Sequence, residues 1–452
     1  MPDNAKQSWC ILGGGMLGLT IALRLSQAGH RVTVKEAAPQ LGGLASAWKL
    51  VDIVWDRHYH VTLLSDSRAR GVLQELGLDD KMVWTRTFTG FYTDGRHISM
   101  SSSLDFLLFP ALGLIDKFRL GLTIFAASRI QDWKAMESEH VESWLRRWSG
   151  NRTFEKIWLP LLRAKLGDGY RNTSAAFIWA TINRLYAARR SGLKTELFGY
   201  LRGGYAQLLD RFKDKLENLG VSIACGEAAK QIRTMPAGGL EIEFASGAVE
   251  HFDRVVATMP SPLAVELCPQ LKAPEKLDHM SVQYQGIVCA SILLKEPLSK
   301  YYVTNITDAA PFTGVIDMSA LVDRAEFGGK ALVYLPKYVA PNDPLFSQSD
   351  AQIEESFLGA LAQMYPDFNR SDVLAFQVSR VRQVFPIPTL HYSEMVPPMV
   401  TSIPGLYLVN STHIVNATLN VNETVTLAEK ATKVFLENQP QMAVQPMEPV
   451  IA

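Results

Sequence analysis

Three glycines near the start of the chain have the spacing that binds a pyrophosphate. Gly13, Gly15 and Gly18 follow a short apolar run, and the residues after them have the apolar period of an amphipathic helix. Gly13 would make the turn, Gly15 would let phosphates approach the backbone, and Gly18 would let helix and strand pack. Met16 and Leu17 begin the helix, whose unpaired N–H groups would face the phosphates. The pattern predicts a dinucleotide site.

An acid and a second glycine pair extend this pattern. Glu36 ends the next apolar run, where a carboxylate can accept hydrogen bonds from ribose hydroxyls. Gly42, Gly43 and Leu44 follow, and this acid-plus-doublet arrangement resembles a family of FAD enzymes that includes monoamine oxidases, protoporphyrinogen oxidase and phytoene desaturases. The resemblance implies that the dinucleotide is FAD, with the doublet beside its pyrophosphate and ribityl chain.

Later blocks of the sequence resemble the same family. Ala229 lies in a segment similar to the one whose backbone contacts adenine, although the family usually has valine there. Asn410 follows a strand-like run, at a place where the family commonly has Gly-Asp. A helix is predicted to begin at Asn420, with Glu423 completing a capping box. The resemblance implies that this helix points its positive end at the flavin, with Asn422 as the nearest side chain.

Five polar side chains are candidates for catalysis. His58, Tyr59 and His60 follow the doublet, and alternation places the two histidines on one side and the tyrosine on the other. The segment resembles a His-x-x-His segment beside the flavin of UDP-galactopyranose mutase. A histidine there could move a proton or stabilise reduced flavin, and a structural role is an equal alternative. Lys165 is interpreted first as a surface or phosphate-contacting lysine and second as catalytic; His413 is a further candidate.

The predicted fold class is α/β, with a discontinuous Rossmann-like FAD-binding domain and an inserted α+β substrate domain. The boundaries that follow from the motifs are 1–75, 195–272 and 396–440 for the FAD-binding domain, 76–194 for the helical part of the substrate domain, 273–395 for its mixed-sheet part, and 441–452 for a flexible tail. Within the helical part, the pattern predicts helices over residues 115–129, 141–148 and 173–190.

Composition limits the range of functions. The 452 residues include 45 Lys and Arg and 45 Asp and Glu, so net charge gives no argument for nucleic-acid binding. The four cysteines lie far apart, which argues against a disulfide framework or a metal site and indicates a reducing, cytoplasmic compartment. None lies in a context resembling the family's covalent flavin attachment, so noncovalent FAD is expected.

A stretch from residue 104 to 130 is apolar but interrupted by charged residues. It is predicted to form two amphipathic helices, the first capped by the serines at 101–103 and separated from the second by residues 110–113. It is too interrupted to cross a bilayer. Contact with a membrane surface is possible but is not the favoured interpretation.

The favoured function is oxidation of a small molecule. The enzyme would remove a hydride from a C–H bond beside nitrogen, or at an allylic or ring position, and the aromatic-rich helical part favours a partly apolar substrate. Only one fingerprint is present, so electrons would pass to oxygen, a quinone or another acceptor. One alternative is a mutase-like enzyme whose Arg163, Arg171, Arg184 and Arg202 clamp a diphosphate. Another is a noncatalytic FAD-binding protein with a sealed flavin.

Overall fold

The computed structural model describes residues 6–189, 197–415 and 417–438, so the predicted tail at 441–452 lies outside the described residues. The strands are β1 (Ser8–Leu12), β2 (Arg31–Glu36), β3 (Ala47–Leu50), β4 (Ile53–Asp56), β5 (Thr62–Leu63), β6 (Met82–Arg86), β7 (Thr89–Thr93), β8 (Arg96–Ser99), β9 (Leu197–Leu201), β10 (Ser222–Cys225), β11 (Ala229–Thr234), β12 (Leu240–Phe244), β13 (Val249–Phe252), β14 (Arg254–Ala257), β15 (Tyr284–Leu294), β16 (Val303–Ile306), β17 (Gly314–Asp317), β18 (Ala331–Val339), β19 (Val373–Pro386) and β20 (Leu406–Leu408). The helices are α1 (Met16–Gln27), α2 (Ser67–Glu75), α3 (Ser103–Leu108), α4 (Leu114–Ala127), α5 (Trp133–Glu137), α6 (Val141–Ser149), α7 (Asn151–Thr153), α8 (Leu159–Leu166), α9 (Ala175–Arg189), α10 (Gly204–Asn218), α11 (Ser261–Leu267), α12 (Ala273–Ser281), α13 (Asp350–Met364), α14 (Tyr392–Met395) and α15 (Val421–Glu437).

A five-stranded parallel sheet is built from three separate stretches of the chain. Its order is β10-β2-β1-β14-β20, with β1 at the centre. Trp9 and Ile11 of β1 have no exposed surface, as expected for a parallel strand covered on both faces. Its carboxyl edge is where such sheets bind ligands. The predicted α/β class and the discontinuity of this sheet are confirmed.

Further sheets accompany the parallel one. Strands β11, β12 and β13 form an antiparallel three-stranded sheet. A larger mixed sheet has the order β19-β15-β18-β17-β16-β7-β8. Its central strand β15 is buried along its whole length. This sheet and the helices α4 to α9 share one apolar core, which includes Trp144, Phe154 and Leu293.

The stretch that the sequence pattern assigned to helices also carries three strands. Strand β6 pairs with β9, and the β7–β8 hairpin joins the large sheet beside β16. Asp94 and Gly95 form its turn with φ of +50° and +71°. Asp-Gly between alternating residues is a strong hairpin signal, which the helical interpretation overlooked.

The three predicted helices of this stretch are present as α4, α6 and α9. Ser102 caps α3 by accepting from the backbone N–H of Asp105 at 3.1 Å, as the serine run predicts. In the part of the chain that the structure describes, no helix combines the length and apolar character needed to cross a bilayer.

Candidate functional site

The turn between β1 and α1 requires glycine at two positions. Gly13 has a φ of +117°, and a Cβ there would lie 2.2 Å from Thr258 Oγ1. A Cβ on Gly18 would lie 2.0 Å from the carbonyl oxygen of Gly13. Contacts this short cannot be accommodated, so the chain makes this turn only with glycine at both places.

The second glycine pair lies directly beside this turn. The N–H of Gly42 donates to the carbonyl oxygen of Gly14 at 2.8 Å, and a Cβ on Gly43 would lie 3.4 Å from Gly15 Cα. We call this contact between the two glycine motifs the glycine junction. Helix α1 begins here with no side chain capping its N–H groups. The junction therefore offers an anion both bare backbone and the positive end of a helix.

Glu36 is held at the end of β2 by two backbone N–H groups. Gly14 donates to Glu36 Oε2 at 2.6 Å, and Ala38 donates to Oε1 at 2.8 Å. A carboxylate has about four acceptor positions, so two remain for the hydroxyls of a ligand. The N–H of Glu227 donates to the carbonyl oxygen of Glu36 at 2.9 Å, which brings the strand that begins at Ala229 to this end of the site.

The first residues of α1 and α15 line one small cavity. Met16 and Val421 open the two helices, and Thr62 and Tyr205 lie between them in the lining. Two helix N-termini at one cavity concentrate positive potential there. The remaining lining side chains, Ala69, Val72, Leu73, Leu208 and Val425, are apolar, so only the helix termini favour an anion here.

Helix α15 has the predicted cap, but Asn422 has a different role from the predicted one. Asn420 Oδ1 accepts from the N–H of Glu423 at 3.1 Å. Asn422 Oδ1 accepts from the N–H groups of Arg68 and Ala69, at 3.0 and 3.2 Å, in the first turn of α2. Its Nδ2 donates to Glu423 Oε1 at 3.1 Å. The side chains of Asn422 and Glu423 thus contact each other, and Asn422 also joins α15 to α2.

Replacing Asn422 with alanine should lower the free energy of unfolding by about 1 kcal/mol, because two N–H groups of α2 lose their acceptor. Asn422→Asp keeps the acceptor for the two N–H groups but places a carboxylate beside Glu423 Oε1, so it should recover only part of the lost stability. Urea denaturation measures both variants, with cofactor absorbance recorded in parallel. If Asn422→Ala loses the cofactor while its stability is unchanged, the side chain contacts the flavin as the sequence predicts.

Asn410 and His413 are both part of the turn that follows β20. Asn410 Nδ2 donates to the carbonyl oxygen of Met259 at 2.9 Å, and its Oδ1 accepts from the N–H of Thr412 at 3.0 Å. His413 Nε2 lies 3.0 Å from the carbonyl oxygen of Pro397. Burial lowers the pKa of His413 to about 4, so the ring is neutral at pH 7. These contacts give both residues a structural role.

The two histidines after the doublet have different surroundings. His58 Nδ1 lies 3.2 Å from the carbonyl oxygen of Leu44, while its buried Nε2 has no hydrogen-bond partner among the described residues. Burial lowers the pKa of His58 to about 4. A neutral ring that donates from Nδ1 presents a lone pair on Nε2, which a ligand donor can use. His60 instead contacts Asp56 Oδ2 at 3.3 Å and stacks on Tyr205.

Tyr59 does not share the contacts of the two histidines. It belongs to a group with Tyr338 and Lys165, which the sequence pattern did not link. Lys165 Nζ donates to Tyr338 Oη at 2.7 Å, and Tyr338 Oη lies 3.2 Å from Tyr59 Oη. Burial lowers the pKa of Lys165, an effect opposed by the neighbouring Tyr59, and raises the pKa of Tyr338 to about 12. Lys165 is therefore tied to Tyr338 rather than free at the surface, and its contact with a phosphate stays a prediction.

Lys165 lines the larger of two cavities, which is partly open to solvent. The other lining residues are neutral: Phe177, Phe385, Pro386, Pro388, Tyr392, Ser411, Ile414, Ala417, Thr418 and Leu419. The described lining contains neither arginine nor carboxylate. The last of these residues lead directly into α15, so this cavity adjoins the helix that lines the smaller one. Across the described ranges, no cluster of His, Cys, Asp or Glu is arranged to hold a metal ion.

Comparison with known proteins identifies the type of cofactor. The family model for flavin containing amine oxidoreductases matches residues 17–419. A chloroplastic/chromoplastic 15-cis-phytoene desaturase of Narcissus pseudonarcissus is 23% identical over 382 residues, which are 79% of this chain and 66% of the desaturase. The chain thus spans about two thirds of this curated relative.

Solved structures share the fold at low identity. Putrescine oxidase bound to putrescine has a TM-score of 0.72 and 15% identity, with 96% of this chain and 99% of that chain covered. Reduced UDP-galactopyranose mutase also has a TM-score of 0.72 and 15% identity, with 96% and 97% covered. Because the family model covers most of the sequence, from α1 to the residues before α15, the chain belongs to the family of flavin-containing amine oxidoreductases.

Proposed function

We propose that the chain binds FAD noncovalently and oxidises a neutral, apolar substrate at an allylic or ring C–H bond. The observation that carries this proposal is the larger cavity, in which Lys165 is the charged side chain of an otherwise neutral described lining. A mainly apolar lining with a few polar side chains, here those of Lys165, Tyr392, Ser411 and Thr418, is typical of a site for a small, partly apolar ligand.

The residues of the glycine junction fit FAD. Glu36 has free acceptor positions for the ribose hydroxyls, and the bare backbone of Gly15 and Gly43 can approach the pyrophosphate. The unpartnered Nε2 of His58 supplies an acceptor near the doublet. FAD, when bound, supplies the hydride acceptor of the reaction.

The cysteines support noncovalent attachment. Cys10, Cys268 and Cys289 are fully buried in the apolar cores. Cys225 is exposed at the end of β10, where its backbone pairs with Glu36. No cysteine is part of the lining of either cavity in the described chain.

Lys165 is the residue we propose to hold the released proton. Desaturation removes one hydrogen from each of two adjacent carbon atoms. One leaves as a hydride to the cofactor and the other as a proton, so the cavity needs a basic group as well as the cofactor. A lysine whose pKa is lowered by burial is more often neutral and can accept that proton. Tyr338 orients Nζ through its hydroxyl, and Tyr59 contacts Tyr338 in turn.

The alternatives have less support. A cationic amine would call for a carboxylate, which the described lining does not contain. The diphosphate clamp expected of a mutase-like enzyme is not assembled, since Arg163, Arg171, Arg184 and Arg202 do not line the larger cavity. Arg184 is instead paired with Asp66 at 3.2 Å.

Anaerobic flavin bleaching tests the proposed substrate class. The purified yellow protein is mixed with polyenes, porphyrinogens, primary amines and sugar nucleotides in turn. We expect polyenes or reduced ring compounds to bleach the flavin, with colour returning on addition of air or a quinone, whichever is the acceptor. Bleaching by amines alone would overturn the substrate class. Isomerisation of a sugar nucleotide by pre-reduced enzyme, without net bleaching, would overturn the redox function.

A further inference from the structure

Helices α3 and α4 expose an unusual number of large apolar side chains. We define the apolar face by the residues Leu104, Leu107, Leu108, Leu114, Ile115, Phe118, Leu122 and Phe125. Their exposed fractions range from 42% at Leu122 to 77% at Leu114 and Ile115. Along α4, residues 115, 118, 122 and 125 follow the helical period, so they form one continuous stripe. Soluble monomers seldom expose a patch of this kind without a use for it.

The charged side chains of the same segment are engaged with the protein; Lys117 is buried and the other three are partly exposed. All four charged residues between 104 and 125 have protein partners. The two carboxylates accept, Asp105 from Ser99 Oγ at 2.6 Å and Asp116 from the N–H of Gly113 at 3.2 Å. The two basic side chains donate to carbonyl oxygens, Lys117 to that of Leu107 at 2.5 Å and Arg119 to that of Trp148 at 3.1 Å. Every exposed residue between 104 and 125 is apolar, glycine or proline. The segment thus has the reverse of the usual arrangement for a helix in water.

Basic and aromatic residues border the apolar face. The Arg129 guanidinium lies 5.0 Å from the Phe125 ring centroid at the end of α4. Arg152 lies beside the start of α4, with Nε 3.8 Å from Asp116 Oδ2 and its side chain 63% exposed. Lys134 lies 5.9 Å from the ring centroid of Trp133, just beyond α4. An apolar surface with such a border is typical of helices that lie in the interface of an anionic membrane.

We propose that the apolar face inserts into one leaflet of a bilayer that contains anionic lipids. Helix α4 has 14 residues and is about 21 Å long, so it can lie along the interface but cannot cross the bilayer. An anionic lipid surface neutralises the basic border, which favours lipid over a second copy of the chain as the occupant.

The apolar face adjoins the wall of the larger cavity. Asn183 Nδ2 of α9 donates to the carbonyl oxygen of Ala127 at 3.3 Å, and Trp179 Nε1 donates to that of Ile130 at 3.0 Å. The same helix α9 supplies Phe177 to the cavity lining. The membrane proposal does not depend on the proposed substrate, although an apolar substrate would be available from the same lipid phase.

Vesicle flotation with the flavin-loaded full chain tests the proposal. Wild-type protein should float with phosphatidylcholine vesicles that contain phosphatidylglycerol. The double variant Ile115→Ser, Phe118→Ser should lose roughly a hundredfold in vesicle partition, about tenfold for each side chain withdrawn from lipid. Leu277→Ser is the matched control, because Leu277 is 70% exposed on α12 and lies outside the apolar face. It should float as the wild type does.

The basic border has a separate test. Arg129→Gln and Arg152→Gln should each weaken binding to phosphatidylglycerol vesicles roughly fivefold and leave binding to pure phosphatidylcholine unchanged. Unchanged flavin absorbance in every variant shows that the fold is retained. Failure of the wild type to float overturns the proposal. If sedimentation then shows a dimer that Phe118→Ser dissociates, the apolar face binds a second copy instead.

Discussion

Replacing Lys165 with methionine should slow the reduction of bound flavin by substrate roughly 10²–10⁴-fold, the usual contribution of a positioned base. Methionine fills a similar volume, so flavin content and cavity shape should be retained. The effect follows from the place of Lys165, whose Nζ is hydrogen-bonded to Tyr338 at 2.7 Å and lines the larger cavity. Anaerobic stopped-flow absorbance of the flavin at saturating substrate measures this rate directly.

The pH dependence gives this prediction a direction. Burial lowers the pKa of Lys165, so its neutral, proton-accepting form is populated at lower pH than for a lysine in water. The rate of flavin reduction should therefore rise with pH, with a midpoint below about 10.4, the ordinary value for lysine. Lys165→Met should lack this rise. Tyr338→Phe removes the hydroxyl that Nζ contacts and should move the midpoint while leaving some of the rate.

Two further variants separate proton transfer from charge. Lys165→Arg keeps the positive charge but cannot lose a proton, so it should be about as slow as Lys165→Met. Lys337→Met is the matched control, because burial also lowers the pKa of Lys337 while its Nζ is directed to the carbonyl oxygen of Ala310. It should reduce flavin at the wild-type rate. A wild-type rate in Lys165→Met, or full activity in Lys165→Arg, would show that Lys165 is not the base.

The parts of the site that sequence predicted well are those fixed by local geometry. Glycine is required at both positions for a local steric reason. A Cβ on Gly18 would clash with Gly13 in the same turn, and a Cβ on Gly13 would clash with Thr258 at the end of the adjoining strand β14. Asn420 caps α15 because its side chain reaches an N–H three residues later. Such requirements act over a few residues and so leave a readable pattern.

The substrate side could not be predicted in this way because its contacts join distant parts of the chain. Lys165 and Tyr338 are 173 positions apart, and Tyr59 and Tyr338 are 279 apart. Tyr338 lies on β18, and no local signal in the sequence shows which residue it contacts. Asn422 was misassigned for the same reason, since α2 comes from a remote stretch.

The apolar face shows another limit of pattern reading. When a helix is apolar on two sides, the period of its apolar residues predicts the helix. The sequence does not show which of the two sides faces the core. In α4 the buried side includes Lys117 and Thr123, while Ile115 and Phe118 are exposed. Packing of α4 against neighbouring helices decides this orientation, and the tertiary structure is needed to see it.

Replacing Gly15 with valine should weaken flavin binding roughly a hundredfold or more. The backbone of Gly15 has an ordinary φ of −77°, and a Cβ there would meet only Gly42 O at 3.8 Å and Gly43 Cα at 3.9 Å. The protein can therefore accept the side chain, but its methyl groups would occupy the glycine junction, where the pyrophosphate must approach. Loss of two charge-assisted hydrogen bonds, each worth about 1.5–3 kcal/mol, accounts for the effect.

Stability measurements on flavin-free protein distinguish lost binding from lost folding. Gly15→Val should cost only about 1 kcal/mol, because valine is a poor N-cap. Gly71→Val is the control, since Gly71 lies in α2 with no atom within 4 Å of the added Cβ, and flavin content should not change. Gly18→Ala should impair both folding and binding, because its Cβ would lie 2.0 Å from Gly13 O.

The comparison of these three variants locates the cofactor. If flavin lies elsewhere, Gly15→Val will retain a full flavin-to-protein absorbance ratio. Any loss of flavin from Gly18→Ala will then result from the lower stability of that variant. If flavin crosses the glycine junction, Gly15→Val will lose flavin at nearly unchanged stability of the flavin-free protein. Only a ligand that needs the space beside Gly15 gives this second result, because the fold itself leaves that space free for a Cβ.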